Sequence, residues 1–314
     1  MLRIVGDLCF ADWYFDVGFG IGTMLQKGQN PLLYCPFKSN DIWIGNLECT
    51  ISETTENKGI ESKYFRICEK DFLKSYHCDI YVVANNHIMQ HGNSAYINTL
   101  SAISKVGQFV GSNDRKSISF EHDGFQYAVV AFSLRGNEFS TTPLYWHRPE
   151  LTEIKKEFDK ISDKDCKIVY IHWGNEFINY PNVAQKKFGR WLIDIGFDMV
   201  VGCHPHVLQG YEIYNNKYIF YSLGNFLFNM PAKESRYSVI VNVSFIENKL
   251  RVSYDYVTIK KNNMPQIIEK EKVPLNCTFE YLNRQIQIDD DNELYYTNVF
   301  RKLSENRKLN HKWI

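Results

Sequence analysis

The chain has 314 residues, enough for one large domain with a substantial buried core. Lys+Arg and Asp+Glu both number 36, so net charge gives no reason to expect nucleic acid or an anionic membrane surface as partner. The eight cysteines are scattered without a Cys-x-x-Cys pair, which argues for reduced thiols and against a disulfide scaffold or a thiolate zinc site.

Leu2 to Asp7 reads as a short strand with an acid at its tip. That acid leaves no room for the apolar core of a signal peptide, and no run of 18 apolar residues occurs. The expectation is a cytoplasmic protein with no direct membrane insertion. The following segment, to about Pro36, is rich in glycine and aromatics and reads as a loop or loop-helix excursion. Asp41 to Glu48 is a second strand, and residues 50 to 63 are polar enough for a surface loop. Asp79 to Ala84 is a third strand, followed at once by Asn85-Asn86-His87. Helical spacing runs from Tyr96 to Val106 and stops near Gly107. Phe125 to Phe132 alternates as a strand, and Leu151 to Ile161 is an amphipathic surface helix. Lys167 to Ile171 is a strand leading into His172-Trp173-Gly174-Asn175-Glu176, and Ala184 to Ile195 is a helix. The apolar run Asp198 to Val201 then delivers Gly202-Cys203-His204-Pro205-His206. Tyr211 to Tyr214 and Lys217 to Leu223 form a hairpin across Asn215-Asn216, closed by Gly224-Asn225-Phe226. Val239 to Phe245 and Leu250 to Ile259 form another across Glu247-Asn248. Beyond about Lys260 the chain is charged and Asn-rich, so residues 1–260 are expected to form the main domain and 261–314 an extension packed on or beside it.

Five apolar strands thus end in polar groups: Asp7, Asn46 with Glu48, Asn86 with His87, His172, and His204 with His206. Singly, Asp7 and Glu48 read as cap or turn residues, and His172 beside Trp173 as a packed core histidine. Ligand sites in α/β sheets gather at the carboxyl ends of strands, so the groups are expected to converge. His204-Pro205-His206 sets two imidazoles around a proline that fixes its own φ and restricts the residue before it. A mixed carboxylate, amide and imidazole set without thiolates suits one or two divalent ions such as Mn²⁺, Fe²⁺ or Zn²⁺. Such ions lower the pKa of a bound water and clamp phosphate oxygens, and a histidine that is not a ligand can then assist the leaving group.

The ordered motifs Gly6-Asp7, Gly45-Asn46-Leu47-Glu48, Asn85-Asn86-His87 with Gly92, His172-Trp173-Gly174 with Glu176, Gly202 with His204-Pro205-His206, and Ser222-Leu223-Gly224-Asn225-Phe226 resemble the bacterial capsule-synthesis CapA family. That family is associated with poly-γ-glutamate capsule production and is related to calcineurin-like metallophosphoesterases. The resemblance runs from residue 1 to about 230, and to about 260 with the trailing strands. It implies a four-layer α/β/β/α sandwich of the metallophosphoesterase type, with the site at strand ends. It also implies Asp7, Glu48, Asn86, His172, His204 and His206 as metal ligands and His87 as general acid or phosphate contact. Glu176 and Asn225 would touch substrate or support the ligands, and Asn46 could do either. The chain departs from the pattern at Cys9, where phosphoesterases place histidine, at Gln90, where an acid is usual, and at Cys203, often histidine in relatives.

The function implied is a metal-dependent hydrolase of phosphoesterase type in capsule or other cell-surface polymer synthesis. Its substrate would be an anionic small molecule or polymer, and capsule-synthesis proteins its partners. A non-catalytic accessory protein that keeps the fold is the alternative, and amide-bond hydrolysis or transfer at the same centre a third.

Overall fold

A computed structural model describes residues 1–286 except 30–39, 69–72, 74–75, 77, 137, 231 and 261–263. Along the chain the strands are β1 (Leu2–Leu8), β2 (Ile42–Leu47), β3 (Thr50–Ile51), β4 (Arg66–Ile67), β5 (Ile80–Val82), β6 (Gln108–Val110), β7 (Ser117–His122) and β8 (Phe125–Ser133). They continue with β9 (Cys166–His172), β10 (Met199–Cys203), β11 (Leu208–Tyr214), β12 (Lys217–Leu223), β13 (Asn225–Leu227), β14 (Tyr237–Ile246), β15 (Lys249–Ile259) and β16 (Pro265–Ile268). The α-helices are α1 (Ile21–Gln26), α2 (Asn93–Ile103), α3 (Leu151–Asp159), α4 (Val183–Asp194) and α5 (Phe279–Ile286).

Two mixed sheets form. The first runs β16-β15-β14-β1-β2-β5-β6 with β13 also on β1, and the second runs β11-β12-β10-β9-β8-β7. The second sheet is parallel at its centre and antiparallel at both edges, whereas the first is antiparallel from β16 to β1 and parallel from β1 to β6. The central strands read as continuous apolar runs because both faces are covered. Ile4, Ile44, Ile80 and Val82 of the first sheet meet Val129, Ala131, Tyr170 and Val201 of the second. Each Ile or Val side chain among these contributes roughly 1.5–3 kcal/mol on full burial. Outside the first sheet, Val5, Leu47 and Tyr81 pack on Tyr96, Ala102 and Ile103 of α2. Outside the second, Val130, Val169 and Val200 pack on Ile154 of α3 and on Leu192 and Ile193 of α4. The layers are therefore helix, sheet, sheet, helix, the four-layer α/β/β/α sandwich expected.

Several details differ from the expectation. Helix α2 starts at Asn93 rather than Tyr96, because Gly92 at φ +89° turns the chain directly into it. It stops at Ile103, whose carbonyl accepts from both Val106 and Gly107 and so closes the last turn early. Helix α4 opens on a reciprocal cap, with Asn182 accepting from the Gln185 amide and Gln185 accepting from that of Asn182. The expected loop to about Pro36 contains α1 and lies in part outside the described residues. Residues 50 to 63 are not a free surface loop. Thr50 and Ile51 are buried and pair with Arg66 and Ile67. His91 holds the excursion from within, with Nδ1 2.8 Å from Thr55 Oγ1 and Nε2 2.9 Å from the Tyr64 carbonyl oxygen. Past Ile259 the chain supplies β16 to the first sheet and α5, whose Asn283 accepts from the Tyr211 amide on β11. Among the described residues no helix is long and apolar enough to cross a membrane, and the seven described cysteines are free.

The two sheets are tied together at Gly224, which at φ +73° carries the chain from β12 in the second sheet to β13 in the first. The Asp7 amide donates to the Gly224 carbonyl at 3.1 Å, and a Cβ on Gly6 would lie 1.8 Å from that oxygen. Gly6→Ala must push two backbones apart, so it should destabilise by about 1–3 kcal/mol or more, read as a lower denaturant midpoint. A stability within error of the parent would show that the crossing gives way freely.

Burial pushes the His91 imidazole down to about 4 against its ordinary 6.5, more than its bond to the Tyr64 carbonyl restores. The unfolded chain therefore binds the extra proton between those values, and stability falls as pH drops from about 6.5 toward 4. His91→Asn should flatten this slope in urea titrations at pH 7.5 and 5; equal slopes would exclude His91 as a source.

Candidate metal centre

The parallel strands of both sheets end at one edge, and their registers decide which side chains meet there. Asp7 on β1 lies beside Asn46 on β2 and Asn225 on β13. Cys203 at the end of β10 lies beside His172 at the end of β9, which also faces Ser133 at the end of β8. Asn85, Asn86 and His87 follow β5 after Val83 and Ala84. Eight of the ten residues singled out from sequence form one buried set: Asp7, Asn46, Glu48, Asn86, His172, His204, His206 and Asn225. His87 lies at its edge and is buried, while Glu176 is half-buried on the loop after β9.

Asn46 is the hub of the amide contacts. Its Nδ2 donates to Asp7 Oδ1 at 2.8 Å and lies 3.5 Å from Glu48 Oε2 and 3.4 Å from His172 Nδ1. Its Oδ1 accepts from Asn85 Nδ2 at 3.0 Å. Asn85 also donates to the Leu47 carbonyl and accepts from the amides of His87 and Ile88, so it locks the turn that presents Asn86 and His87. His172 Nε2 lies 2.8 Å from Asn86 Oδ1 and 3.6 Å from Glu48 Oε1. His206 Nδ1 lies 3.0 Å from Asn225 Oδ1 and 3.3 Å from Asp7 Oδ2, with Nε2 3.8 Å from Glu48 Oε1.

His204 differs from all of these. Its ring is fully buried, 4.6 Å from that of His172, and neither ring nitrogen has a hydrogen-bond partner. Glu48 Oε1 and Asn225 Nδ2 are likewise buried without partners. Buried polar atoms are almost always paired, and leaving one unpaired costs about 1–3 kcal/mol. The backbone is strained at the same place, with His204 at φ +93° and His206 at φ +59°, each costing of order 1–3 kcal/mol. The Asp7 carboxylate takes the His204 amide at 3.2 Å and steadies the turn.

The charges follow from burial and neighbours. Burial works to raise the Asp7 pKa, but the bond to and charge of His206, helped by His172 and Asn46, hold it below the usual carboxylate value. Burial disfavours the His206 cation, yet Asp7, Glu176 and Asn225 raise its pKa. Glu48 is pushed well up, first by burial and then by the Asp7 charge. Burial pushes His172 down to about 3 despite Asp7, and drives His204 well below its ordinary value, with His172 adding to the effect. The lowered pKa of His172 and His204 favours the neutral imidazole, the form in which histidine binds a metal.

Three overlapping groups bring ligand atoms within 4.8 Å of one another: Asp7 with His172 and Cys203, Glu48 with His172 and His204, and Asp7 with Glu48 and His206. The orphaned atoms of His204 and Glu48 are what a divalent ion would satisfy, so these residues fit such an ion. Cys203, expected only as a departure from the family pattern, enters the first group with Sγ 3.3 Å from His172 Nδ1. Cys9 is different, since its thiol donates to the Ala11 carbonyl at 3.7 Å. His87 Nδ1 lies 2.7 Å from Gln90 Oε1, and its ring stacks on Phe65 at 3.9 Å. Burial pushes its pKa down to about 4, more than the Gln90 bond offsets.

Sequence reasoning passed over two residues. Asn85 was visible only as the first of an Asn-Asn pair. Arg135 follows β8, and its charge acts on His87, His172 and His204.

The bacterial capsule synthesis protein family PGA_cap matches residues 29–230. The chain is 31% identical over 246 residues to the PGA biosynthesis protein CapA of Bacillus subtilis, covering 71% of this chain and 63% of that protein. It is 29% identical over 267 residues to the capsule biosynthesis protein CapA of Bacillus anthracis, covering 79% and 64%. The chain thus spans somewhat less than two thirds of the length of these two relatives. A solved structure of a candidate 5'-nucleotidase from Staphylococcus aureus superposes with a TM-score of 0.50 at 12% identity, over 91% of this chain and 57% of that one. The shared architecture is the α/β sandwich of the metallophosphoesterase type.

His204→Leu removes two unpaired buried nitrogens without leaving a void. The metal-free variant should therefore be at least as stable as the parent. With Mn²⁺ at a hundred times its dissociation constant the parent should gain about 2.7 kcal/mol and the variant far less, read by thermal melts with and without metal. Equal gains would remove His204 from any metal site.

Proposed function

Because the chain belongs to the bacterial capsule synthesis protein family, we propose that it is a metal-dependent hydrolase of the phosphoesterase type acting in the synthesis of capsule or another cell-surface polymer. The observation that carries this reading is the His204 imidazole, buried among carboxylates and imidazoles with both nitrogens unpartnered. Packing alone gives no reason to bury such a ring at a strained turn.

Asp7, Glu48, Asn86, His172, His204 and His206 would hold one or two divalent ions, and the oxygen and nitrogen donors favour Mn²⁺, Fe²⁺ or Zn²⁺. When bound, such an ion acidifies a water and stabilises charge on a phosphoryl oxygen. The chain's own residues do the rest. Asn46 holds Asp7 and His172 in place, and Asn225 fixes the ring of His206 through Nδ1, leaving Nε2 toward Glu48. Gln90 and Phe65 set the plane of His87. With Gln90 Oε1 accepting, the His87 Nδ1 carries the proton and Nε2 is the nitrogen available to a substrate oxygen. The negative charge of a bound phosphate would favour a second proton on Nε2, and that proton is the one His87 would donate to the phosphate oxygen and pass to the leaving group. Glu176, which acts on His87, His206 and Glu48 through its charge, borders the space a substrate would enter. The substrate is an anionic small molecule or polymer, other capsule-synthesis proteins are the partners, and residues 264–286 extend the domain of residues 1–260, the rest of 261–314 lying outside the described residues.

A non-catalytic accessory role is the second reading. It is favoured by Cys9, whose thiol turns to the Ala11 carbonyl where phosphoesterases carry a histidine, and by the neutral Gln90 beside His87. A relative from Mycobacterium tuberculosis, 26% identical over 278 residues, bears the name of a probable polyglutamine synthesis accessory protein.

Mn²⁺-loaded protein should hydrolyse bis(p-nitrophenyl) phosphate or p-nitrophenyl phosphate. His87→Ala should lower kcat by roughly 10²- to 10⁴-fold with metal content unchanged, as expected for loss of a proton-transfer group. Full metal loading with no turnover on either ester, together with co-purification of a polymer ligase, would instead favour the accessory role.

A further inference from the structure

The segment after β8 starts at the centre and ends beside it. The Leu134 amide donates to the His172 carbonyl at 2.9 Å, and the ring of Phe139 lies 5.5 Å from that of His87. Arg135 lies between these two anchors. Its backbone is held on both sides, the amide donating to Ser133 Oγ at 3.2 Å and the carbonyl accepting from His147 Nε2 at 2.7 Å. Its side chain is not held in the same way. The guanidinium Nε is buried and has no hydrogen-bond partner. Its ion pair runs from Nη2 to Glu138 at 3.6 Å, and Glu138 is 49% exposed. Exposed pairs three residues apart contribute little and are readily exchanged. His87, His172 and His204 all feel the Arg135 charge, so the cation acts on the cluster as a whole.

We propose that Arg135 is the anion anchor of this centre, taking one phosphate or carboxylate oxygen pair of the substrate through its guanidinium. The proposal rests on the hydrolase reading and adds to it the residue that selects anionic substrates. A planar guanidinium offers donors in a fixed fork that matches either oxyanion, and a hydrogen bond between charged partners is about twice as strong as a neutral one. The unpaired Nε is the donor such an oxygen would satisfy. Glu138 acts as the internal competitor, holding the fork while no anion is present. With the backbone of Arg135 tied to β8 and to His147, the side chain can change partners without moving the loop.

The test is calorimetric titration of the full chain loaded with Mn²⁺, using inorganic phosphate and glutarate as separate probes. Elemental analysis and circular dichroism are run on the same samples. Arg135→Gln should weaken binding of whichever probe the parent takes by about ten- to a hundredfold, with metal content and fold unchanged. Arg135→Lys, which keeps the charge without the fork, should fall between, and Glu138→Gln should tighten binding. Phosphate binding without glutarate binding assigns a phosphate substrate, and the reverse assigns a carboxylate. Equal affinity in the parent and Arg135→Gln overturns the anchor, as does a metal-loaded parent that binds neither probe. A parent that takes up no metal counts against the hydrolase reading alone, since titration of the metal-free chain still compares Arg135 with its variants.

Discussion

Two carboxylates, Asp7 and Glu48, are buried among imidazoles and amides, and much of the architecture depends on how that charge is balanced. An isolated buried carboxylate is costly, and the chain answers the two in different ways. Asp7 is fully engaged, accepting from Asn46 and the His204 amide and facing His206, and its pKa is held down. Glu48 has Oε1 unpaired and its pKa driven up, so without a cation it prefers the proton. A divalent ion would reverse that preference.

The fold brings these groups together by means of a close crossing. Gly224 takes the chain from one sheet to the other, and Gly6 has no side chain to obstruct it. Asn225 is thereby placed beside Asp7, and the parallel strands of both sheets end at one edge. Sheet packing and site geometry are consequently not independent: widening the crossing would separate Asp7 from both Asn225 and His204.

The central strands were legible because burial on both faces makes them uninterrupted apolar runs, and each ended visibly in a polar residue. The hairpins were legible too, since Asn215-Asn216 and Glu247-Asn248 sit at positive φ as the tight turn requires. The short pairs β3–β4 and β13 were not, because two or three residues carry no periodicity and their partners are supplied by tertiary structure. The candidate site was legible as a set of residue types, but not as a network. Asn85 was overshadowed by its neighbour Asn86, though it is the one whose amide is satisfied at both ends. Arg135 follows a strand as an ordinary charged loop residue would, and only its buried, unpaired Nε distinguishes it.

The departure at Cys9 can be weighed against the groups that remain. Its thiol is directed to a backbone carbonyl, and burial raises its pKa well above the ordinary thiol value, so it offers no thiolate to the centre. Among the described residues, none of the three groups able to hold an ion includes position 9. Glu48 belongs to two of them, one with His172 and His204 and the other with Asp7 and His206, so the two are joined through a single carboxylate. A histidine at position 9 would add a donor on the Asp7 side, where Asp7, Glu48 and His206 already stand, with Asn225 fixing His206. The other side keeps its donors in full, including the unpaired His204. If an ion is held here, the absence of a donor at position 9 would weaken one half of the centre and spare the half that most needs a cation.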